Sequence, residues 1–481
     1  MRDDLEFRST AGQVLELGSS RPLFSQIDPR LFDPAAFPLR RMRLRRERID
    51  EDLHAVRADL KLLFADDRSF VKIGGKFIDR RKTRDNTQMQ LVAVREGNST
   101  LASSDGALPP IDNFYNGDYV FGPAIDYRGV LRYYEENASL VRLDAAQTAI
   151  NERSVDYDIR ERIYAGYGMA SLSLGDLTAI GGVRVEVTEG RYDAFSIRPA
   201  TGITPLTFDQ DYTHVLPSMH LNYRARPDVL LRAAWTNTLG RPNYDATVPT
   251  FTEEDAGVGT AGNPDLEPYT SMGLDLSAEY YPDTDSIFSL GIFYKRLENP
   301  VFTRTLQNTS FAGVPLLRLS QPQNAEEGEL FGVETNLQRR FTFLPAPFND
   351  LGASVNGTYV TSDVTVPGRE AEDIPFFRQS DFIANASLFF ERGRFEARVA
   401  VSFRDDFIEF VGTSAASHVF QKARTVVDAR VSYEFTPGLV VFGSLSNLNE
   451  APNTFYQANE NQTYAREIYS FNGDFGVSVR F

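Results

Sequence analysis

From Val56 onward the chain beats in twos. Val56, Ala58, Leu60, Leu62 and Phe64 are apolar while Arg57, Asp59 and Lys61 between them are charged; after Ala65 to Ser69, Val71, Ile73, Gly75 and Phe77 alternate with Lys72, Gly74 and Lys76. A period of two means extended strands with one oily and one wet face. The same beat returns in Met272, Leu274, Leu276, Ala278 and Tyr280, in Phe331, Val333 and Leu337, in Phe395 to Phe403, and in Val427 to Phe435. It closes the chain: Phe475, Val477, Val479 and Phe481 alternate with Asp474, Gly476, Ser478 and Arg480.

Turn residues divide this pattern unevenly. Short turns are expected at 65–69, at Gly175-Asp176, Pro227-Asp228, Pro282 to Asp285, Thr342 to Asp350, Glu391 to Arg394 and Thr436-Pro437-Gly438. Long polar connections are expected near 95–153, 189–210, 240–268, 302–328, 363–379, 408–424 and 448–468. That predicts fifteen strands, seven hairpins plus the terminal strand. Short turns at one end and long loops at the other are the asymmetry of a transmembrane β-barrel. Arg398, Arg404, Glu434, Arg430 and Glu279 all fall on the polar beat, sparing the oily face a charge that would cost roughly 2 to 4 kcal/mol at mid-bilayer. A large soluble sheet with one buried face would keep that face equally clean.

Composition changes the picture in three places. No run approaches the roughly 18 apolar residues of a membrane helix, as expected when strands show lipid every second residue. The balance of 50 Lys+Arg against 66 Asp+Glu, a formal net charge of −16, argues against a nucleic-acid partner. The absence of cysteine excludes a disulfide framework and thiolate metal sites. Residues 1–52 are polar and irregular, and the run Arg40, Arg41, Arg43, Arg45 and Arg46 is expected as an exposed loop. Met1 to Glu6 lacks the apolar core of a signal peptide.

Several stretches together resemble the TonB-dependent receptors: Phe70 to Asn86, Ile180 to Val187, Pro217 to Tyr223, Leu239 to Pro242 (LGRP), Gly262 to Pro268 (GNPDLEP), Leu445 to Leu448 and the terminal strand. Their wording is similar to the branch found in Caulobacter- and Xanthomonas-type bacteria and associated with carbohydrate uptake. The resemblance implies an all-β, antiparallel transmembrane barrel in the outer membrane of a Gram-negative bacterium, with residues 1–52 as the remnant of an extracellular loop and 53–481 as the barrel. Barrels of this family have about 22 strands around a plug. The expected strand directions and the missing signal peptide then make this chain the C-terminal part of a longer protein, without its plug. The implied function is active uptake of a scarce carbohydrate-type or iron-chelate nutrient. A plugless passive porin and a secreted all-β binding protein or glycosidase are the alternatives.

The partners implied are outer-membrane lipid, a small-molecule substrate, the TonB complex acting through a plug absent from this chain, and the barrel-assembly machinery. The last would read Phe475, Val477, Val479 and Phe481. In GNPDLEP, Gly262, Asn263, Pro264 and Pro268 restrict the chain to a turn and an extended approach ahead of the next strand. Tyr115, Tyr244, Tyr456 and Tyr464 are the candidates for stacking on a flat ligand, with a place in an interfacial aromatic belt as the alternative. No catalysis, metal or cofactor is expected. His54, His214, His220 and His418 lack metal spacing, the acidic groups 253–255 and 283–285 lack the form of a calcium loop, and no nucleophile elbow or phosphate loop is present.

Overall fold

The computed structural model describes residues 2–7, 14–16, 23–26, 29–64, 68–95, 99–104, 106–114, 119–198, 202–255, 257–412 and 414–480. Fifteen strands form one continuous antiparallel wall: β1 Leu39–Phe64, β2 Ser69–Ala93, β3 Tyr157–Leu174, β4 Leu177–Arg198, β5 Gly202–Arg226, β6 Val229–Gly240, β7 Tyr269–Tyr280, β8 Ile287–Glu298, β9 Glu327–Arg340, β10 Leu351–Thr365, β11 Phe382–Arg392, β12 Phe395–Arg404, β13 Arg424–Thr436, β14 Leu439–Ser446 and β15 Asn472–Val479. Each pairs with the next in sequence. Fourteen antiparallel steps leave β1 and β15 running the same way. Among the described residues no register joins those two strands, so the sheet is not a closed barrel.

The pairing puts every oily beat on one face. Val56 lies opposite Phe77, Phe77 opposite Tyr164, and Tyr164 opposite Val187; further round, Trp235 faces Leu274, Leu276 faces Ile292, Ile292 faces Val333, and Val441 faces Val477. These side chains stay open: Val56 is 69% exposed, Leu276 59% and Phe475 84%. A soluble sheet of one buried face would cover such residues, since each fully buried one is worth roughly 1.5 to 3 kcal/mol. No described segment does.

The oily band also ends at a level. His54, Asp79, Arg162, Glu189 and Asp211 are successive cross-strand partners on this outer face, one step of the beat beyond Val56, Phe77, Tyr164 and Val187. Arg160 pairs with Asp79 at 2.8 Å, and just above it Arg81 pairs with Asp158 at 2.5 Å, both arginines exposed. On β4 the stretch from the turn to the boundary, Leu177 to Val187, is eleven residues. A bilayer-spanning strand needs about 9–11.

Two sequence expectations need correction. The long connection placed at 189–210 is strand: β4 and β5 continue in register to Arg198 and Gly202. These strands stand beyond the oily band, so Glu189, Arg191 and Asp193 lie on the outer beat while Tyr192, Ala194 and Ser196 are buried beneath the loops, which blurs the alternation of residue types without breaking the ladder. The basic run 40–46 is strand as well. It pairs with Arg2–Phe7 on one side and β2 on the other, and Arg43 and Arg45 donate to Gln90 at 3.1 Å and Asn86 at 2.9 Å.

Apart from isolated residues in the strands, burial concentrates at the long-loop end. Four apolar clusters form there, centred on Leu39 with Val130 and Tyr134, on Ile159 with Tyr192 and Val248, on Phe251 with Leu316 and Leu319, and on Val364 with Ile374. The hairpin Val301–Phe311 and Val314–Asn324, where sequence suggested a long polar connection, supplies four of the six buried residues of the third cluster.

Candidate functional site

The segment 241–268 fastens the loops to the wall. Arg241 donates to Glu186 at 2.8 Å, Thr188 at 3.0 Å and the Tyr212 hydroxyl at 3.1 Å, reaching from the end of β6 to β4 and β5. A few residues on, the Tyr244 hydroxyl accepts from Arg80 at 3.0 Å and donates to Glu161 at 3.3 Å, with Lys82 over its ring. Burial, then the Glu161 charge, pushes the Tyr244 hydroxyl up to about 12, so it remains a donor at any physiological pH.

GNPDLEP sits at the centre of this layer. Asn263 donates from its backbone to Ala246 at 2.7 Å and from its side chain to Pro322 at 3.0 Å, while its carbonyl oxygen accepts from Asp265. Gln321 donates to the Gly262 carbonyl at 2.8 Å, Gln210 to that of Leu266 at 2.8 Å, and Asn324 exchanges two bonds with the backbone of Glu267. Leu266 and Pro268 are fully buried. At Gly262 a β-carbon would overlap the Val248 carbonyl oxygen, so glycine is required by space. The motif is therefore a clasp joining β5, the 241–268 segment and the 301–324 hairpin. Sequence offered the turn; the clasp depends on partners some 60 residues away.

Beside the clasp lies a cavity of about 1060 Å³, open to solvent. Four loop regions wall it, around residues 241–246, 300–305, 366–378 and 409–412, with Tyr269 from the start of β7. Its charged lining consists of Arg241, Arg304, Arg369, Arg378 and Glu409. Arg378 pairs with Glu409 at 2.6 Å and Arg369 with Glu372 at 2.6 Å. Arg369 also donates to the Gly412 carbonyl at 2.6 Å, and Gly412 in turn donates to Nδ1 of His418 at 3.0 Å. These bonds tie the 366–378 loop to the 405–423 loop.

The four tyrosines singled out in the sequence are not brought together. Tyr115 lies outside the described residues. Tyr244 faces the wall, not the cavity. Tyr456 is buried, stacked on Phe420 at 5.1 Å and bonded to Asp406 at 2.7 Å within a small four-stranded sheet. Tyr464 is exposed on a neighbouring strand of that sheet. The cavity's own aromatics, Tyr269, Phe302, Phe376, Phe377 and Phe410, come from separate loops whose convergence no local pattern announces. Of the terminal strand, Phe475, Val477 and Val479 point outward with the oily band, and Phe481 lies outside the described residues. Among the described residues no group of three or more His, Asp or Glu side chains is placed to hold a metal ion.

The family described as TonB dependent receptor-like, beta-barrel matches residues 13–448. No curated protein sequence matches the chain. Among solved structures it is similar to the ferric citrate transporter FecA in its unliganded form, with a TM-score of 0.58 at 13% identity over 92% of this chain and 57% of that one. The copper transporter OprC gives 0.58 at 11% identity over 92% and 61%. The ferric yersiniabactin uptake receptor FyuA from Yersinia pestis gives 0.55 at 14% identity over 92% and 56%. At such identities the likeness is one of fold, and the chain spans less than two thirds of each of these structures.

Proposed function

The chain belongs to the TonB-dependent receptor-like β-barrel family, and from that premise we propose that it forms wall and loops of an outer-membrane receptor that takes up a scarce small-molecule nutrient in a Gram-negative bacterium. The observation that carries this reading is the uncovered oily band, present on all fifteen strands and bounded across β1 to β5 by a line of charged partners. Neither alternative accounts for the chain as well. A secreted binding protein would bury that face, and a passive porin has no need of a clasped loop layer on the lumen's rim.

In this reading the loop cavity captures the nutrient, and energy from the TonB complex drives its passage, as in the rest of the family. Because β1 and β15 run the same way, antiparallel closure takes an odd number of further strands between them. Left open in hydrocarbon, each unpaired backbone group at those edges would cost several kcal/mol. Phe475, Val477, Val479 and Phe481 serve as the strand offered to the assembly machinery. Iron chelates and carbohydrate-type molecules are the two substrate classes, the second supported by the wording of the stretches shared with the Caulobacter- and Xanthomonas-type branch.

Membrane fractionation of the natural gene product tests the reading. It should sediment with the outer membrane and migrate in heat-modifiable form on gels; recovery in the soluble fraction would refute it. Growth of a deletion strain on limiting oligosaccharides and on limiting iron chelates then separates the substrate classes.

A further inference from the structure

The cavity carries a chemical preference of its own. Three of its four arginines are spoken for: Arg241 by Glu186, Arg369 by Glu372, and Arg378 by Glu409. Arg304, on the rim hairpin, has neither an ion-pair nor a hydrogen-bond partner among the described residues, although its guanidinium lies against Gly368 on the opposite loop. Glu370 on that loop feels the Arg304 charge, but it forms no ion pair with it and one of its carboxylate oxygens accepts from the backbone N–H of Gly368 at 2.6 Å. Half-buried, with no hydrogen bond or ion pair to its guanidinium in a chain of net charge −16, Arg304 brings five donors in a planar fork to the cavity lining.

The aromatics beside it point the same way. On the short strand Phe407–Phe410 the first two residues, Phe407 and Ile408, are packed away. Phe410 itself is 53% exposed and Phe377 46%, and both line the cavity with Phe302 and Tyr269. These rings stand far from the oily band, so lipid does not cover them. A flat or apolar body laid against the rings, with a carboxylate or similar oxyanion reaching Arg304, would satisfy both groups at once.

Resting on the receptor reading above, we infer that this cavity takes an anionic ligand, one with at least one carboxylate-type group bound by Arg304 and an apolar or ring surface against Phe377 and Phe410. Two sources share that chemistry, a carboxylate iron chelate and an acidic oligosaccharide. A neutral oligosaccharide does not.

The test is calorimetric titration of the full natural protein, purified in detergent, with ferric citrate, trigalacturonate and maltotriose in turn. At least one anionic probe should bind, with affinity falling as salt is raised. Arg304→Gln should weaken it at least tenfold, and Arg304→Lys should restore part of the loss. Which of the two anions binds identifies the source. Binding of maltotriose with Arg304→Gln unimpaired, or no binding of either anion, overturns the inference. Heat-modifiable migration of each variant shows that it has folded. If the protein is absent from the outer membrane, the receptor reading itself fails; if it is present there and Arg304→Gln leaves nutrient uptake unchanged, only the ligand inference fails.

Discussion

The wall and the loop layer use the same kinds of residue in opposite ways. On the wall, Val185, Leu276, Val399 and Val431 face outward and are left open. In the loop layer, Phe251, Leu266, Leu319 and Ile374 face inward and are sealed. On the receptor reading proposed above, the first arrangement suits a solvent of hydrocarbon and the second contact with water. One chain thus states two solvents, and the line through Asp79, Arg162, Glu189 and Asp211 is where they meet.

The sharpest way to break that contrast is to put a charge on the outer face. Leu276→Arg should cost roughly 2 to 4 kcal/mol of folded stability in lipid, read as a lowered urea midpoint in vesicles and loss of the heat-modifiable band. Ser277→Arg, one residue along and facing inward, should cost far less. Equal effects of the two would mean that the outer face does not meet lipid.

The next largest effect belongs to the clasp. Gly262→Ala drives a methyl group into the Val248 carbonyl, an overpacking worth about 1 to 3 kcal/mol. Limited proteolysis should then cut within 241–268 while the wall strands stay protected. Nicking in the wall instead would show that the two regions do not fold as separately as their packing suggests.

A smaller change tests what Tyr456 is for. Tyr456→Phe removes its bond to Asp406 but keeps the stack on Phe420, so the local four-stranded sheet should lose about 1 kcal/mol. Hydrogen exchange across 453–457 should quicken, with ligand affinity unchanged. A loss of affinity alone would return this tyrosine to the binding site.

How far the sequence reveals each region follows from the same contrast. The wall is legible because its outward exposure is local: every second residue carries it, so the beat of Leu274, Leu276 and Ala278 can be read without knowing any neighbour. Even the turns at Gly175-Asp176 and Pro437-Gly438 announce themselves through residues that accept left-handed or restricted backbone; Gly175 and Gly438 have φ of 62° and 87°. The loop layer is illegible because its order is set from a distance. Gln321 meeting Gly262, or Arg241 meeting Glu186, depends on chain paths that no window of sequence contains. Along 189–198, where the outer beat is charged and the inner one is covered by distant loops, the pattern of residue types fades although the strand continues.

The last and smallest effect is one of pH, confined to the loop layer. His418 is buried, with Nδ1 accepting from the Gly412 N–H at 3.0 Å, so that Nε2 carries the ring proton and lies 3.4 Å from the Arg369 guanidinium without accepting from it. Burial, then the Arg369 charge, holds its pKa below the ordinary value, against a smaller opposing pull from Glu372. A histidine kept neutral in the folded loops but free to protonate when they open gives stability that is complete above its unfolded pKa of about 6.5 and declines as pH falls below it. Protonation would remove the acceptor that Gly412 uses and place a cation beside Arg369. Amide exchange at Gly412 should therefore accelerate between pH 7 and about pH 5 relative to the intrinsic rate, while amides of β7 to β10 show no such change. His418→Gln, which can still accept from Gly412 and cannot titrate, should flatten the profile. If the acceleration persists in that variant, the pH response resides elsewhere, and the link between the 366–378 and 405–423 loops rests on Arg369 to the Gly412 carbonyl and on Arg378 to Glu409 and the Ile408 carbonyl.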